Sequence, residues 1–209
     1  IVDPIPFVQS VTNTTVTQGG RERESNDNYR ERIYEAPAAF SVAGPEDAYI
    51  YLAKSANASI ADVSASSPVP GVVEIRPILV NGEIPSQTIL DQVIEAVSPK
   101  DKRPLSDDVR VLAPTPVSYN LNVTYYIDKA NQARALEIQS AVNQAIYEWQ
   151  LWQRVKMGRD INPSVLTKRM IEAGAKRVVI PAPVHTVLTP AQVGIIGTQT
   201  IIYGGLEDE

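Results

Sequence analysis

The sequence predicts an α+β fold, made of two small α+β sandwich modules preceded by a short helical region. Three observations predict it. Strand-like and helix-like periodicities follow one another as strand–strand–helix–strand and then strand–helix–helix–strand–strand. Residues 117–127 alternate apolar and polar side chains without a break. And 16 prolines among 209 residues, about 8% against a usual ~5%, fall between the periodic segments rather than in one block, which excludes a bundle of long helices.

In chain order, residues 1–20 read as an extended arm or strand, closed by Gly19-Gly20. Residues 21–57 read as a helical region. Ser25 and Asn26 are good N-cap types for a helix that must stop before Pro37, because the residue preceding proline avoids the helical region. A second helix starts at Gly44-Pro45, with Tyr49, Leu52, Ala53 and Ala56 on one face. The first α+β module takes residues 58–115. Its strands are Ile60–Ser66 and Val72–Val80, joined by the turn Ser67–Gly71. Val73, Ile75 and Leu79 share one face of the second strand, and Pro77, which cannot donate to a ladder, places that strand at an edge or a bulge. Ser86 caps a helix carrying Ile89, Leu90, Val93, Ile94 and Val97, and a strand at Val109–Leu112 closes the module.

The second module takes residues 116–209. Val117, Tyr119, Leu121, Val123, Tyr125 and Ile127 alternate with polar neighbours in a half-buried strand. A helix from about Ala130 to Lys156 lines up Ile138, Val142, Ala145, Trp149 and Trp152, and Gly158 is placed to stop it. Asn162-Pro163 starts another helix that Gly174 ends. Strands at Arg177–Ile180 and Ile195–Tyr203 follow, then an acidic tail, Glu207-Asp208-Glu209.

Composition narrows the chemistry. Cysteine is absent, which removes disulfides, thiolate metal sites and cysteine nucleophiles. One histidine, His185, leaves little for a histidine metal cluster. With 19 basic and 24 acidic residues and a net charge of −5, nucleic acid is a poor candidate partner. No apolar run reaches the ~20 residues that span a bilayer, so no membrane partner is expected. No nucleophile elbow, phosphate-cradling glycine loop or zinc-protease helix occurs. Glu22, Glu24 and Asp27 alternate with Arg21, Arg23, Arg30 and Arg32, the pattern of a self-compensating solvated face rather than of a glycosidase pair. Asp107-Asp108 reads as a turn rather than a calcium site, and Trp149 and Trp152 read as core. Tyrosine brings large contact area at low entropic cost, so Tyr29, Tyr34 and Tyr49, together with Arg30 and Arg32, are the candidate protein-contact residues. No catalytic, cofactor-binding or metal residue stands out.

Several strings are more specific than their composition. They are Glu24–Ile33, Ala36–Pro45, Ala48-Tyr49, Ile60–Val63, Ser67–Val73, Arg103–Val109, Gly158–Ile161 with Ser164 and Leu166, and Ala173–Val178. In this order, from about Asp3 to Glu209, the series resembles the baseplate J-like family of contractile-tailed bacteriophages, prophages and tail-derived injection machines. Members of that family are generally longer at the N-terminus, so the resemblance, with the missing initiator methionine, implies the middle and C-terminal regions. It also implies a structural part of the baseplate wedge rather than an enzyme, with no cofactor. The implied partners are other wedge and hub proteins, with self-association in the assembled ring. The implied location is the virion tail baseplate, after assembly in the host cytoplasm. A receptor- or carbohydrate-binding module of a tail particle is the alternative reading. A cell-wall hydrolase working through Glu22, Glu24 or Asp27 ranks third.

Overall fold

A computed structural model describes residues 26–36, 46–99 and 103–208. The arm expected at 1–20 and the charged run at 21–24 lie outside them. The described chain is α+β, with two three-stranded sheets. Helix α1 (Asn26–Glu35) falls in a unit, residues 1–34, separate from the unit formed by 35–209.

In the larger unit, α2 (Glu46–Ala56), β1 (Ile60–Ser66), β2 (Val72–Leu79), α3 (Gln87–Val97) and β3 (Asp108–Val111) build the first sheet, in the order β1-β2-β3. The turn after Pro70 lets β2 return antiparallel to β1, and the α3 crossover lets β3 lie parallel to β2. Helices α2 and α3 cover one face, where Tyr49, Ala53, Ile60, Val63, Ala65, Ile75, Val93 and Val97 form a core. Ile60 and Val63 are three residues apart, a spacing that a regular strand sends to opposite faces. Both reach the core because Ala61 is an extra residue in the register, Ile60 pairing with Leu79 and Asp62 with Ile78. Asp62 and its ladder partner Ile78 lie on the other face.

Three expectations need correction here. The helical region 21–57 does not hold together as one element, because α2 packs into the first sheet's core. Of the two alternatives for Pro77, the edge is not realised, since β2 is central, whereas the β1–β2 ladder does carry a bulge, between Ile60 and Asp62. The proline is tolerated because the β2–β3 pairing stops at Ile75, so Pro77 has a paired neighbour, Val63, on one side only. Ser86 occupies the N-cap of α3 without a side-chain cap; its backbone oxygen accepts from the Ile89 and Leu90 amides.

The second sheet runs β5-β4-β6, from β4 (Thr115–Asp128), β5 (Arg177–Ala182) and β6 (Gln192–Glu207). The long strand β4 pairs antiparallel with β5 and parallel with β6. Leu121, Val123, Tyr125 and Ile127 point from β4 into a core shared with α4 (Ala135–Arg154) and α5 (Pro163–Glu172), as the alternation requires. The expected helix from Ala130 begins instead as a 3-10 helix, Lys129–Arg134, capped by the Asp128 carboxylate on the Ala130 amide. Its buried stripe is Ile138, Val142, Ile146, Trp149 and Gln153. Gly158 lies past the α4 C-cap Val155, in the following turn. At α5 the Asn162 side chain accepts from the Ser164 amide. Gly174, at φ 107°, turns the chain just after the α5 C-cap, Ala173.

Strand β6 runs four residues past its expected end at Tyr203 and absorbs part of the acidic tail. Glu207 pairs with Asp128 across the ladder and is held by Arg177, while Asp208 meets Lys129 at 2.9 Å. Glu209 lies outside the described residues.

Candidate interaction surfaces

Helix α1 has Asp27 in its first turn and Arg32 in its last, each complementing the helix dipole. Asp27 and Arg30 pair at 3.1 Å, and the Arg32 guanidinium lies 5.2 Å from the centre of the Tyr29 ring. Tyr29 (50% exposed), Ile33 (53%) and Tyr34 (88%) present their rings and branches to solvent. Ten residues are too few for an isolated helix to be more than marginal in water, and an exposed ion pair adds little. This helix therefore offers aromatic area that a partner could cover.

Tyr49 does not join it. It is 2% exposed, in the core between α2 and the first sheet, and its hydroxyl donates to Asp107 Oδ2 at 2.8 Å. The contact reading of Tyr49 is thus corrected: its place on the apolar face of α2 decides its role. Asp107 also anchors the loop before β3, where its backbone oxygen accepts from Arg103, and Asp108 pairs with Arg110. Both carboxylates are spent on protein donors, as a turn requires.

A further surface is the face of the second sheet turned away from its helices. Thr124 on β4 is flanked in register by Val179 on β5 and Ile202 on β6, and both of these side chains are exposed. Towards the end of the strands, the Tyr126 ring lies against Gly204, where a Cβ would come within 2.5 Å of it. The Arg177 guanidinium covers that ring at 3.9 Å and grips the Glu207 carboxylate at 2.6–3.0 Å. The Arg177 hydrogen bond holds the Glu207 carboxyl below the usual range and raises Arg177 in turn. Asp128 is lowered by the Ala130 amide and by Lys176.

The remaining candidates are dispersed. His185 Nε2 stands 4.0 Å from Asp160 Oδ2, both exposed, and Asp160 Oδ1 is engaged by the Leu188 amide. Nothing in sequence linked that pair, which lies 25 residues apart. Trp149 is core, while Trp152 is half-buried under the guanidinium groups of Arg159 at 4.0 Å and Arg169 at 5.3 Å. Tyr147 is exposed. Glu22 and Glu24 lie outside the described residues, and Asp27 is committed to Arg30. Among the described residues no cluster of three metal-ligating side chains occurs, and no helix is long and apolar enough to cross a membrane.

Three tyrosines titrate late. Burial raises Tyr49, helped by its bond to Asp107, and burial also raises Tyr119 and Tyr125. A folded-state pKa above the unfolded value of about 10 means that the folded chain keeps its phenol protons longer. That stability is complete below pH 10 and is lost as pH rises through the folded values. Denaturant melts should therefore show stability falling above pH 10, and the fall should be shallower in Tyr49→Phe. Ultraviolet titration should show three of the nine tyrosines ionising only as the fold opens. Equal slopes for wild type and Tyr49→Phe would remove Tyr49 from this account.

Residues 41–113 match the Baseplate J-like central domain, a span that contains the whole of α2, the first sheet and α3. Over 187 residues the chain is 30% identical to Baseplate protein J of Escherichia phage P2. That alignment covers 88% of this chain and 61% of the relative, so the chain spans about three fifths of the length of the curated protein it matches.

Proposed function

We propose that this chain, similar to the Baseplate J-like central domain over residues 41–113 and to Baseplate protein J of Escherichia phage P2 over 187 residues, is a structural component of a contractile-tail baseplate wedge, working through protein–protein contacts. The observation that supports the reading best is a coincidence of boundaries. The matched segment, residues 41–113, is also the segment that closes a core of its own under α2 and α3. What matches is then a packed module, a body to be gripped.

In this reading the two α+β modules form the body, and α2 belongs to the first of them. Helix α1 supplies a contact region through Tyr29, Arg30, Arg32 and Tyr34. The partners are other wedge and hub proteins and further copies of the chain in the ring, in the virion tail. Co-purification of the full-length product with its tail neighbours, followed by electron microscopy, tests the assignment. Reversing charge at Arg30 and Arg32 together should weaken recovery of neighbours several-fold and leave the melting temperature within about 1–2 °C, because exposed pairs contribute little to folding. Undiminished assembly by that variant would remove α1 from the contact surface.

A further inference from the structure

A cleft of about 130 Å³ opens where the turn after β2 meets the second module. It is lined by Gly82 from the turn, Tyr119 from β4, Gln150 and Arg154 from α4, and Gly194, Ile195 and Ile196 from β6; the Gln150 amide donates to Gln199 Oε1 at 2.8 Å. Two glycines shape it. Gly82 sits at φ 69°, and a Cβ there would overlap the Arg154 side-chain stem. A Cβ on Gly194 would press on the Tyr119 ring at 3.2 Å. The two glycines thus let the Arg154 stem and the Tyr119 ring pack directly against the backbone, where a larger residue would displace them.

Two of the cleft's polar groups, on Tyr119 and Arg154, are unpaired among the described residues. The Tyr119 hydroxyl and the Arg154 Nε are both buried and have no hydrogen-bond partner among the described residues. Nor is Arg154 in any of their ion pairs. The nearby cations are engaged: Lys156 meets Asp62, and Arg159 donates to the Trp152 carbonyl while stacking on its ring. A half-buried guanidinium without a counter-charge is costly, and arginine can only donate. The missing group is an acceptor, and an anionic one answers both donors.

We propose that this cleft binds a carboxylate, supplied by an aspartate or glutamate side chain of a neighbouring polypeptide. One guanidinium and one phenol match a single negative charge spread over two oxygens, whereas a phosphate dianion would call for more cations. The apolar walls at Ile195 and Ile196 suit the methylene stem of an acidic side chain. The low-dielectric setting strengthens both hydrogen bonds. The proposal rests on the reading of this chain as a part held by protein neighbours, and it names one chemical contact in that role.

The test uses the whole chain, labelled with nitrogen-15, and follows the Arg154 Nε–Hε resonance, assigned through Arg154→Met. The probes are N-acetyl-glutamate amide and the neutral N-acetyl-glutamine amide. A saturable shift is expected with the acid alone, absent in Arg154→Met and roughly tenfold weaker in binding in Tyr119→Phe, with thermal melts of both variants as the folding control. No shift, an equal shift with the glutamine probe, or binding unchanged in Tyr119→Phe would overturn the site. Arg154→Met is then carried into co-purification with tail neighbours, where recovery should fall. Acid binding by the wild type with unchanged recovery for Arg154→Met would overturn the neighbour's side chain as the source, in favour of a free small carboxylate. Recovery of neighbours by wild type with no acid binding would sink the site and leave the baseplate assignment standing. Acid binding with no neighbours recovered would do the reverse.

Discussion

Trp149→Ala should lower the melting temperature of the chain by roughly 6–12 °C, the largest loss expected from any single side chain. Trp149 is fully buried at the centre of the α4 stripe. Its ring meets Tyr119 edge-on, with centroids 6.2 Å apart, and shares a core with Leu121, Val142, Ile146 and Leu166. Truncating a buried tryptophan costs about 3–5 kcal/mol through lost transfer free energy and the cavity left behind. One opposing effect is present. The Trp149 Nε1–H is buried without an acceptor, a penalty of about 1–3 kcal/mol in the native state that the truncation relieves. The hydrophobic term is the larger, so the loss should settle near 3 kcal/mol. At about 2–4 °C per kcal/mol for a chain of this size, that is the shift given above. Trp149→Phe separates the two effects: it keeps most of the ring and removes the unpaired donor, so it should lose under about 1.5 kcal/mol. Calorimetry on both variants decides the point. Equal losses for Ala and Phe would show that the cavity argument misplaces the tryptophan.

Such a residue could be read from sequence because its signal is local. Strand β4 was legible for the same reason: one face is buried and the other is not, so the alternation of Leu121, Val123, Tyr125 and Ile127 is written along a single segment. The helix start at Asn162-Pro163 and the helix stop before Pro37 were legible because caps and prolines act within a few residues. The α4 stripe was only partly legible. Its last buried position is Gln153, a polar residue whose amide donates to the Arg159 carbonyl, a tertiary arrangement that hydrophobic periodicity cannot register. Strand β6 ran beyond its expected limits because Gly194, Gly197, Gly204 and Gly205 dilute the strand pattern, and its extent is dictated by β4 beside it. Tyr49 illustrates the competition between two local readings, since an amphipathic tyrosine suits both a core and a contact surface; only the packing of α2 against the first sheet settles it. The cleft was illegible altogether: Gly82 and Arg154 are 72 positions apart, and neither carries a motif.

The second large effect concerns the joint between the modules, where Asp62→Ala should both destabilise the chain and split its unfolding into two steps. Asp62 is buried on β1, on the face turned away from the first core, and its Oδ2 accepts from the Met157 amide of the second module at 3.0 Å. Its Oδ1 meets Lys156 Nζ at 3.3 Å. Beside it Ile78 packs against Met157, Val193 and Ile195, so one carboxylate and a few apolar side chains tie the two modules. Two effects compete for the credit. The Lys156 end of the ion pair is more than half exposed, and pairs of that kind contribute about 0–1 kcal/mol. The buried amide is different, because losing its acceptor costs about 1–3 kcal/mol. The hydrogen bond should therefore win over the charge. Asp62→Asn, which keeps an acceptor for Met157, should remain within about 1 kcal/mol of wild type, and Lys156→Ala should do the same. Only Asp62→Ala should produce a broadened or double transition, with the tryptophan signal of the second module separating from the tyrosine signal at Tyr49. In the proposed role as a part held between neighbours, it matters whether the two modules move as one, and the Met157 amide finding its acceptor on Asp62 contributes to that beside the apolar contacts of Ile78. Matching losses in Asp62→Asn and Asp62→Ala would transfer the role to the charge, and a single sharp transition in Asp62→Ala would give the joint to Ile78 and its apolar partners.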